Sequence, residues 1–525
     1  MKPAILQKTA QVTVTLLILS MLLPVLAFAS SGFKNVSYKN GTVTGTVYSD
    51  VYSVSSQVYM YDPSGHQLAV TGVTYSVYDG VYNYSFSASG LSTYSYLNLY
   101  GPVGGTPVAD SVYQAVYLTT DPVNGGGGYG GGGGGGGWAS SDSISVYASG
   151  FVSSDQLLNS FNQYDTVTLS LSGDFALIPA KALNSFTSDP KKLLKVTNSN
   201  GTYSIPLNVL KLQPLADSVG VSVDDLTLKV SISQASSATA NSVTAAAAQL
   251  GGTLASSVVD FNIVGLGKDN KTAPLDLGNS YLSRTLPLTK TVNPNQATAV
   301  WYNESTQKLS FVPAVFSGQS AEIKRNGSSL YAVIELNKSF NDTHGHWAES
   351  NITLLANKLV VDGVTDTTFQ PERSITRAEF AALVVRSLGL ATTGTSSSFK
   401  DVAASDWFAG VVGAAVNAKI IDGYEDGTFR PSASINREEL AAMVVRALAY
   451  AGAKPDVSSE QQAALLAKFK DASSIVWAQN EIAVAISAGI IDGMTDDTLG
   501  ARGTATRAQS ATMLKRLLTS AKFIN

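Results

Sequence analysis

Ile375-Thr376-Arg377-Ala378-Glu379, Ile435-Asn436-Arg437-Glu438-Glu439 and Ala505-Thr506-Arg507-Ala508-Gln509 are three forms of one phrase, and the residues around each form repeat as well. Upstream of the first stand Phe340, Asp342, Trp347, the Asp362-Gly363 turn, Phe369 and Pro371. Upstream of the second stand Phe399, Asp401, Trp407, Asp422-Gly423, Phe429 and Pro431, and upstream of the third Phe469, Asp471, Trp477, Asp492-Gly493 and Leu499. A pattern returning every 60 to 70 residues or so is one supersecondary unit used several times, each copy burying its apolar face on its neighbours. Three copies predict one compact body.

Each unit reads as two helices around a turn. Ile352, Leu355 and Leu359 recur at helical spacing after Trp347, and Phe380, Leu383, Val384 and Leu388 do so after Arg377, with Gly389 placed to end that helix in a left-handed cap. Leu440, Met443, Val444 and Leu448 repeat the stripe, as do Met513, Leu514, Leu517 and Leu518, which predicts a shared helical core. Thr376 with Glu379 is a capping box, and Asn436 with Glu439 and Thr506 with Gln509 preserve it. The arginine between them is unexplained by capping, because a cation in the first turn faces the positive end of the helix dipole. Two readings stand: each Arg reaches a neighbouring unit, or dipole, backbone amides and guanidinium converge on an anion.

These combined motifs resemble S-layer homology domains, the triplet by which many Gram-positive surface proteins hold to the cell envelope, over Phe340 to Asn525. The resemblance implies an all-α, pseudo-threefold body around a central bundle, with grooves that bind a secondary cell-wall polymer carrying pyruvylated N-acetylmannosamine. Carried over by position, it implies polymer-binding roles for Asp342, Trp347, Gly363 and Arg377, for Asp401, Trp407, Gly423 and Arg437, and for Asp471, Trp477, Gly493 and Arg507. A Trp face under a sugar ring, an Asp accepting from hydroxyls and an Arg on the pyruvate carboxylate form a coherent set; the alternative for Trp is a core anchor. Asn436 departs from the family's Thr, and the third copy carries Ala505, Gln509 and Leu499 with no matching Pro, so the third unit is expected to contribute more to shape than to binding.

The acidic turns, with Asp362, Asp366, Asp422, Asp426, Asp492, Asp496 and Asp497, lack the alternating acidic run and distal Glu of a calcium loop, so Asx turns explain them and no cofactor is expected, a structural calcium being the alternative. His344 and His346 flank Gly345 within the repeat pattern itself and are read as structural. No phosphate loop, HExxH helix or Gly-x-Ser-x-Gly elbow is present.

Lys2 and Lys8 precede an apolar stretch from Val12 to Leu26, closed by Ala27-Phe28-Ala29, which predicts a secretory signal peptide over residues 1–29 and no membrane span after its removal. Cysteine is absent and the net charge is -4, with no basic stripe, which excludes disulfide and thiolate chemistry and argues against nucleic acid.

Between leader and repeats two β-rich, sandwich-like regions are expected. Residues 30–123 alternate Val and Tyr with Ser and Thr, broken by Asn40-Gly41, Pro63-Ser64-Gly65 and Asp79-Gly80, and hold more than half of the chain's 23 tyrosines. Short alternating strands at this spacing predict an immunoglobulin-like sandwich. Residues 124–137 are a glycine tether spanning roughly 20 Å on average. Residues 138–339 read as strands at 167–171, 175–178, 226–232, 258–264, 297–302 and 309–315, with a helix over 237–254. The end of this region resembles the β module that often precedes the anchor triplet in surface proteins of Paenibacillus-like bacteria. The repeats then divide as 340–398, 399–468 and 469–525.

The expectation is a secreted, wall-attached, non-catalytic surface-layer or coat protein, not an enzyme, self-assembling into an array through strand edges or its Tyr-rich face. One alternative is an anchored polysaccharide-acting enzyme, which predicts a cleft with two carboxylates about 5 to 10 Å apart. The other is an adhesin whose Tyr-rich head binds glycans.

Overall fold

The computed structural model describes residues 31–39, 42–49, 57–61, 67–78, 81–91, 96–101, 112–117, 141–148, 150–268, 271–392 and 397–525. The leader and the glycine tether lie outside the described residues, as do the turns at 40–41, 63–65 and 79–80. The chain forms two compact units, Met1–Gly136 and Gly137–Asn525.

Alternation of Val and aromatic residues with Ser and Thr builds the first unit. β1 (Ser31–Lys39), β2 (Thr42–Ser49), β6 (Val81–Ala88) and β5 (Thr74–Tyr78) form one antiparallel sheet in that order. β4 (Gln67–Gly72), β3 (Gln57–Tyr61), β7 (Tyr96–Gly101) and β8 (Val112–Tyr117) form the other. Val43 and Val47 of β2, Val58 and Met60 of β3, Tyr84 and Phe86 of β6 and Leu99 of β7 close into one core, as residues two apart on a strand must when one face is buried.

The second unit begins with two larger sheets. The first runs β21 (Ala314–Ser317), β22 (Ser320–Arg325), β18 (Leu282–Pro287), β13 (Gly201–Pro206), β12 (Leu193–Asn198), β10 (Thr166–Leu171), β9 (Ser143–Val146). Its last two pairings are parallel, after the short helix α1 (Ser154–Gln163) and after α2 (Lys181–Asn184). The second runs β11 (Phe175–Pro179), β14 (Thr227–Gln234), β16 (Val259–Leu266), β23 (Ser329–Glu335), β19 (Ala297–Asn303), β20 (Lys308–Val312), all antiparallel, with β15 (Thr253–Leu254) and β17 (Thr272–Pro274) at its sides. Their inner faces share one apolar core, to which α3 (Leu212–Val219) adds. α4 (Ser237–Gln249) covers the outer face of the second sheet over Val300, Tyr302, Ala332 and Ile334, and ends five residues before the expected 254, at the left-handed Gly251. The expected strand at 309–315 is two strands, because Pro313 has no N–H to donate and the chain changes sheet there.

Each repeat contributes a short and a long helix. The pairs are α5 (Glu349–Asn357) with α6 (Arg377–Ser387), α7 (Ala409–Asn417) with α8 (Arg437–Tyr450), and α10 (Gln479–Ser487) with α11 (Arg507–Ser520); α9 (Ser459–Leu466) lies between the second and third repeats. All three capping boxes form as expected. The apolar stripes meet in one core. A ring of backbone hydrogen bonds closes the triplet: Ile375 N donates to Ala505 O (3.0 Å), Ala505 N to Ile435 O (2.9 Å) and Ile435 N to Ile375 O (3.1 Å). No repeat can leave without breaking two links of that ring.

The triplet is also fused to the β sheets. The C-terminal tail lies along β21, with Ala314 N donating to Phe523 O (2.7 Å) and Asn525 bonded both ways to the backbone of Phe316. Lys358, fully buried just after α5, donates to Pro294 O (2.6 Å) and Ala297 O (2.5 Å). The carbonyls favour its ammonium, but burial dominates and brings its pKa from near 10.5 to about 7. Between those two values the unfolded chain binds more protons than the folded one, so this group's contribution to stability grows as pH rises from 7 toward 10 and is lost below 7. Urea midpoints of the full chain at pH 7 and pH 9.5 are expected to show that rise, and Lys358→Met to reduce it; equal pH slopes in both proteins would refute the assignment.

Candidate functional site

The three arginines of the repeated phrase point out of their own units. Arg377 Nε donates to Phe429 O (2.9 Å), Arg437 Nε to Leu499 O (3.0 Å) and Arg507 Nε to Phe369 O (2.8 Å). Each thus holds the Asp-Gly loop of the next repeat, and the third returns to the first. Arg437 and Arg507 add a second bond, to Asp492 O (3.1 Å) and Asp362 O (2.8 Å), while Arg377 pairs with Glu439 (3.1 Å). The first-turn amides are engaged too: Arg377 N and Ala378 N donate to Ala433 O and Pro431 O, and their counterparts do likewise at Gly503 and Ala501, and at Arg373 and Pro371. The helix N-termini therefore offer no free amides to an anion, and of the two readings of Arg it is the neighbour contact that the structure contains.

The Asp residues that open the repeats tie the same loops. Asp342 accepts from Phe369 N and Gln370 N, Asp401 from Phe429 N and Arg430 N, and Asp471 from Leu499 N and Gly500 N, all at 2.7 to 2.8 Å. Both oxygens of each thus serve the backbone of the loop, a role that the expected contact with sugar hydroxyls did not include. Those bonds hold the carboxyls of Asp342 and Asp471 below the usual range although burial works the other way. Gly363, Gly423 and Gly493 have a spatial reason: a Cβ would run into Thr365 O, the Phe399 ring or Thr495 O respectively. The acidic turns close on protein partners, with Asp362, Asp422 and Asp492 paired to Arg386, Arg446 and Arg516 at 2.8, 2.8 and 2.6 Å. Asp426 is held down to about 2 by the Thr428 hydroxyl and amide and by Arg430.

The tryptophans are the surprise. Trp347, Trp407 and Trp477 are 60%, 64% and 52% exposed, so they are not core anchors. Trp347 and Trp477 stand at grooves between repeats. One groove, about 590 Å³, is walled by Arg377 of the first repeat, the Gly423 loop, Glu439 and Arg446 of the second, and Trp477 of the third. Another, about 300 Å³, is walled by Arg437 of the second repeat, the Gly493 loop, Gln509 and Arg516 of the third, and Trp347 of the first. The third repeat, expected to be mainly architectural, thus carries a groove of the same plan.

Two further features escaped sequence reading. Arg386, Arg446 and Arg516 lie nine residues beyond Arg377, Arg437 and Arg507 in every copy, a spacing that the repeat alignment contains. Glu438, buried where the other copies have Ala378 and Ala508, accepts the amides of Val476, Trp477 and Ala478 (2.9, 2.8 and 3.0 Å) and so fixes the backbone that presents Trp477. Among the described residues no group of three or more His, Asp and Glu is placed to hold a metal ion.

The S-layer homology domain model matches residues 339–381, 398–441 and 468–511, so the chain carries three S-layer homology domains. Amylopullulanase of Thermoanaerobacterium thermosulfurigenes is 34% identical over 268 residues, 50% of this chain and 14% of that protein. Exoglucanase XynX of Acetivibrio thermocellus is 36% identical over 188 residues, 35% of this chain and 17% of that protein. The surface layer protein of Brevibacillus choshinensis is 39% identical over 95 residues, 17% of this chain and 8% of that protein. The chain thus spans less than a fifth of the length of each. The first match is longer than the stretch from Phe340 to Asn525, so it reaches beyond the repeats. The expectation that the protein is not an enzyme is overturned by these relatives, of which the first two carry the names of polysaccharide-degrading enzymes. S-layer homology domains bind cell-wall polymers, and the chain is a secreted, cell-surface protein attached to the wall. No described helix is long and apolar enough to cross a membrane.

Proposed function

We propose that the protein attaches to a pyruvylated, acidic wall polymer through the grooves between its repeats and that its β regions serve a polysaccharide-directed role at the cell surface. We read the first unit as an immunoglobulin-like sandwich, supported by its strand order β1-β2-β6-β5 against β4-β3-β7-β8, the order A-B-E-D against C′-C-F-G. The observation that carries the anchor reading is that each groove joins an exposed Trp to helix-borne arginines and an Asp-Gly loop. An indole face packs on a sugar ring, and a guanidinium pairs with a carboxylate.

The two grooves differ in charge. In the larger one Arg377, Arg430 and Arg446 face Asp422, Glu425, Asp426 and Glu439, which leaves an excess of negative charge. In the smaller one Arg437 and Arg516 face Asp492 alone, because Gln509 replaces the Glu of the other copies. The groove of the third repeat is therefore the better receptor for an acidic sugar. Gln509→Glu keeps the capping box, as Glu379 and Glu439 do, and returns one negative charge. Calorimetric titration of the full chain with a pyruvylated N-acetylmannosamine disaccharide is expected to show about ten-fold weaker binding in Gln509→Glu, roughly the effect of one like charge in a half-buried site. Unchanged affinity would remove this groove from the proposal, and absence of binding by the parent chain would overturn the anchor reading itself.

A further inference from the structure

We propose that the second unit carries a separate site for a neutral oligosaccharide, in a cleft at the end of the second β sheet beside the first turn of α4. This deepens the polysaccharide-directed reading of the β region and makes no use of the grooves. The cleft has a volume of about 660 Å³, within the range of about 300–1,000 Å³ that takes small ligands. The end of β14 and the start of α4 give it Gln234 and Ser236, β16 gives Asp260, and the β19–β20 hairpin gives Asn303, Glu304 and Ser305.

Its chemistry differs from that of the grooves. The lining contains hydroxyls, amides and two carboxylates but no Lys or Arg, so it repels the acidic sugars that the grooves favour. Asp260 of β16 lies two residues after Val258, which packs against α4 just before the strand, and burial and then the charge of Glu304 push its carboxyl up. Neither the Asp260 nor the Glu304 carboxylate has a hydrogen-bond or ion-pair partner among the described residues. With no protein donor committed to them, both carboxylates can exchange water for the hydroxyls of an occupant of the cleft. Carboxylates take O–H donors, the Gln234 amide offers both donor and acceptor, the Asn303 amide offers its N–H groups while its Oδ1 is held by Ser305 and Thr306, and a chain of hydroxyls matches that set. A bare cation does not, since no third ligating side chain stands with the pair.

The test is titration of the full chain with maltohexaose, cellohexaose and xylohexaose, three neutral backbones of different linkage, alongside Asp260→Asn and Glu304→Gln. At least one of the three is expected to bind, and each variant to weaken it five-fold or more, while both variants still attach to cell walls. Glu304 is exposed, so its variant folds even where Asp260→Asn does not. Binding to none of the three overturns the proposal. So does binding that both variants leave unchanged, or that Trp347→Ala and Trp477→Ala abolish, which would place the sugar in the grooves.

Discussion

Replacing Arg507 by alanine lowers the stability of the triplet by about 3 to 5 kcal/mol, the largest single-residue effect expected in this chain. The guanidinium bridges Phe369 O and Asp362 O, more than 130 residues back in sequence, and lies over the Phe369 ring at 4.4 Å. Its loss leaves two buried or half-buried carbonyls without a donor, at roughly 1–3 kcal/mol each, together with the cavity it filled. Lysine does not restore the fit, because one ammonium cannot reproduce a planar fork that also stacks. Arg516→Ala, which removes an ion pair with a largely exposed Asp492, is the control and costs about 1 kcal/mol or less. Urea midpoints of the three variants check the ranking, and an Arg507→Ala midpoint equal to that of Arg516→Ala would show that the ring of inter-repeat contacts is not what closes the body.

The second large effect is on binding. Trp347→Ala, Trp407→Ala and Trp477→Ala combined are expected to raise the Kd for the wall polymer by at least about a hundred-fold, since a central aromatic in an interface commonly carries 2 kcal/mol or more. The same triple variant keeps the parent's urea midpoint to within about 1 kcal/mol, because more than half of each indole already faces solvent. A triple variant that binds normally would move the polymer away from the grooves, and one that unfolds would return the tryptophans to an architectural role.

Local signals were legible and long-range ones were not. Thr376 with Glu379 lies within four residues, so the capping box could be read directly, as could the stripes of α6, α8 and α11. The partners of Arg377, Arg437 and Arg507 sit on other repeats, and nothing in the local sequence distinguishes a guanidinium that reaches a neighbour's carbonyl from one that waits for an anion. The backbone contacts of the Asp residues were hidden for the same reason: the amides they accept lie 27 to 29 residues downstream. That interval nevertheless recurs in all three copies, and the nine-residue interval from Arg377 to Arg386 recurs as well. In the β region the strands at 167–171 and 258–264 announce themselves by alternation. Their pairing does not, because β13 pairs with β18 across some eighty residues of chain. The carboxylates of the cleft belong to strands and turns that meet only in the folded sheet.

Fusion of the repeats to the β sheets has a mechanical consequence. Lys358, Asn525 and the Tyr281 hydroxyl, which donates to Leu388 O (2.7 Å), bind the triplet to the sheets at three separate points. A pull on the β region is thereby shared among several contacts with the anchor.

Co-sedimentation of the full chain with purified sacculi, before and after chemical removal of the secondary polymer, tests the central claim most directly. The protein should pellet with intact sacculi, stay in solution with stripped ones, and lose most of its binding in the Trp triple variant. Equal pelleting with stripped peptidoglycan, or none with intact walls, would contradict the claim that these grooves are the anchor.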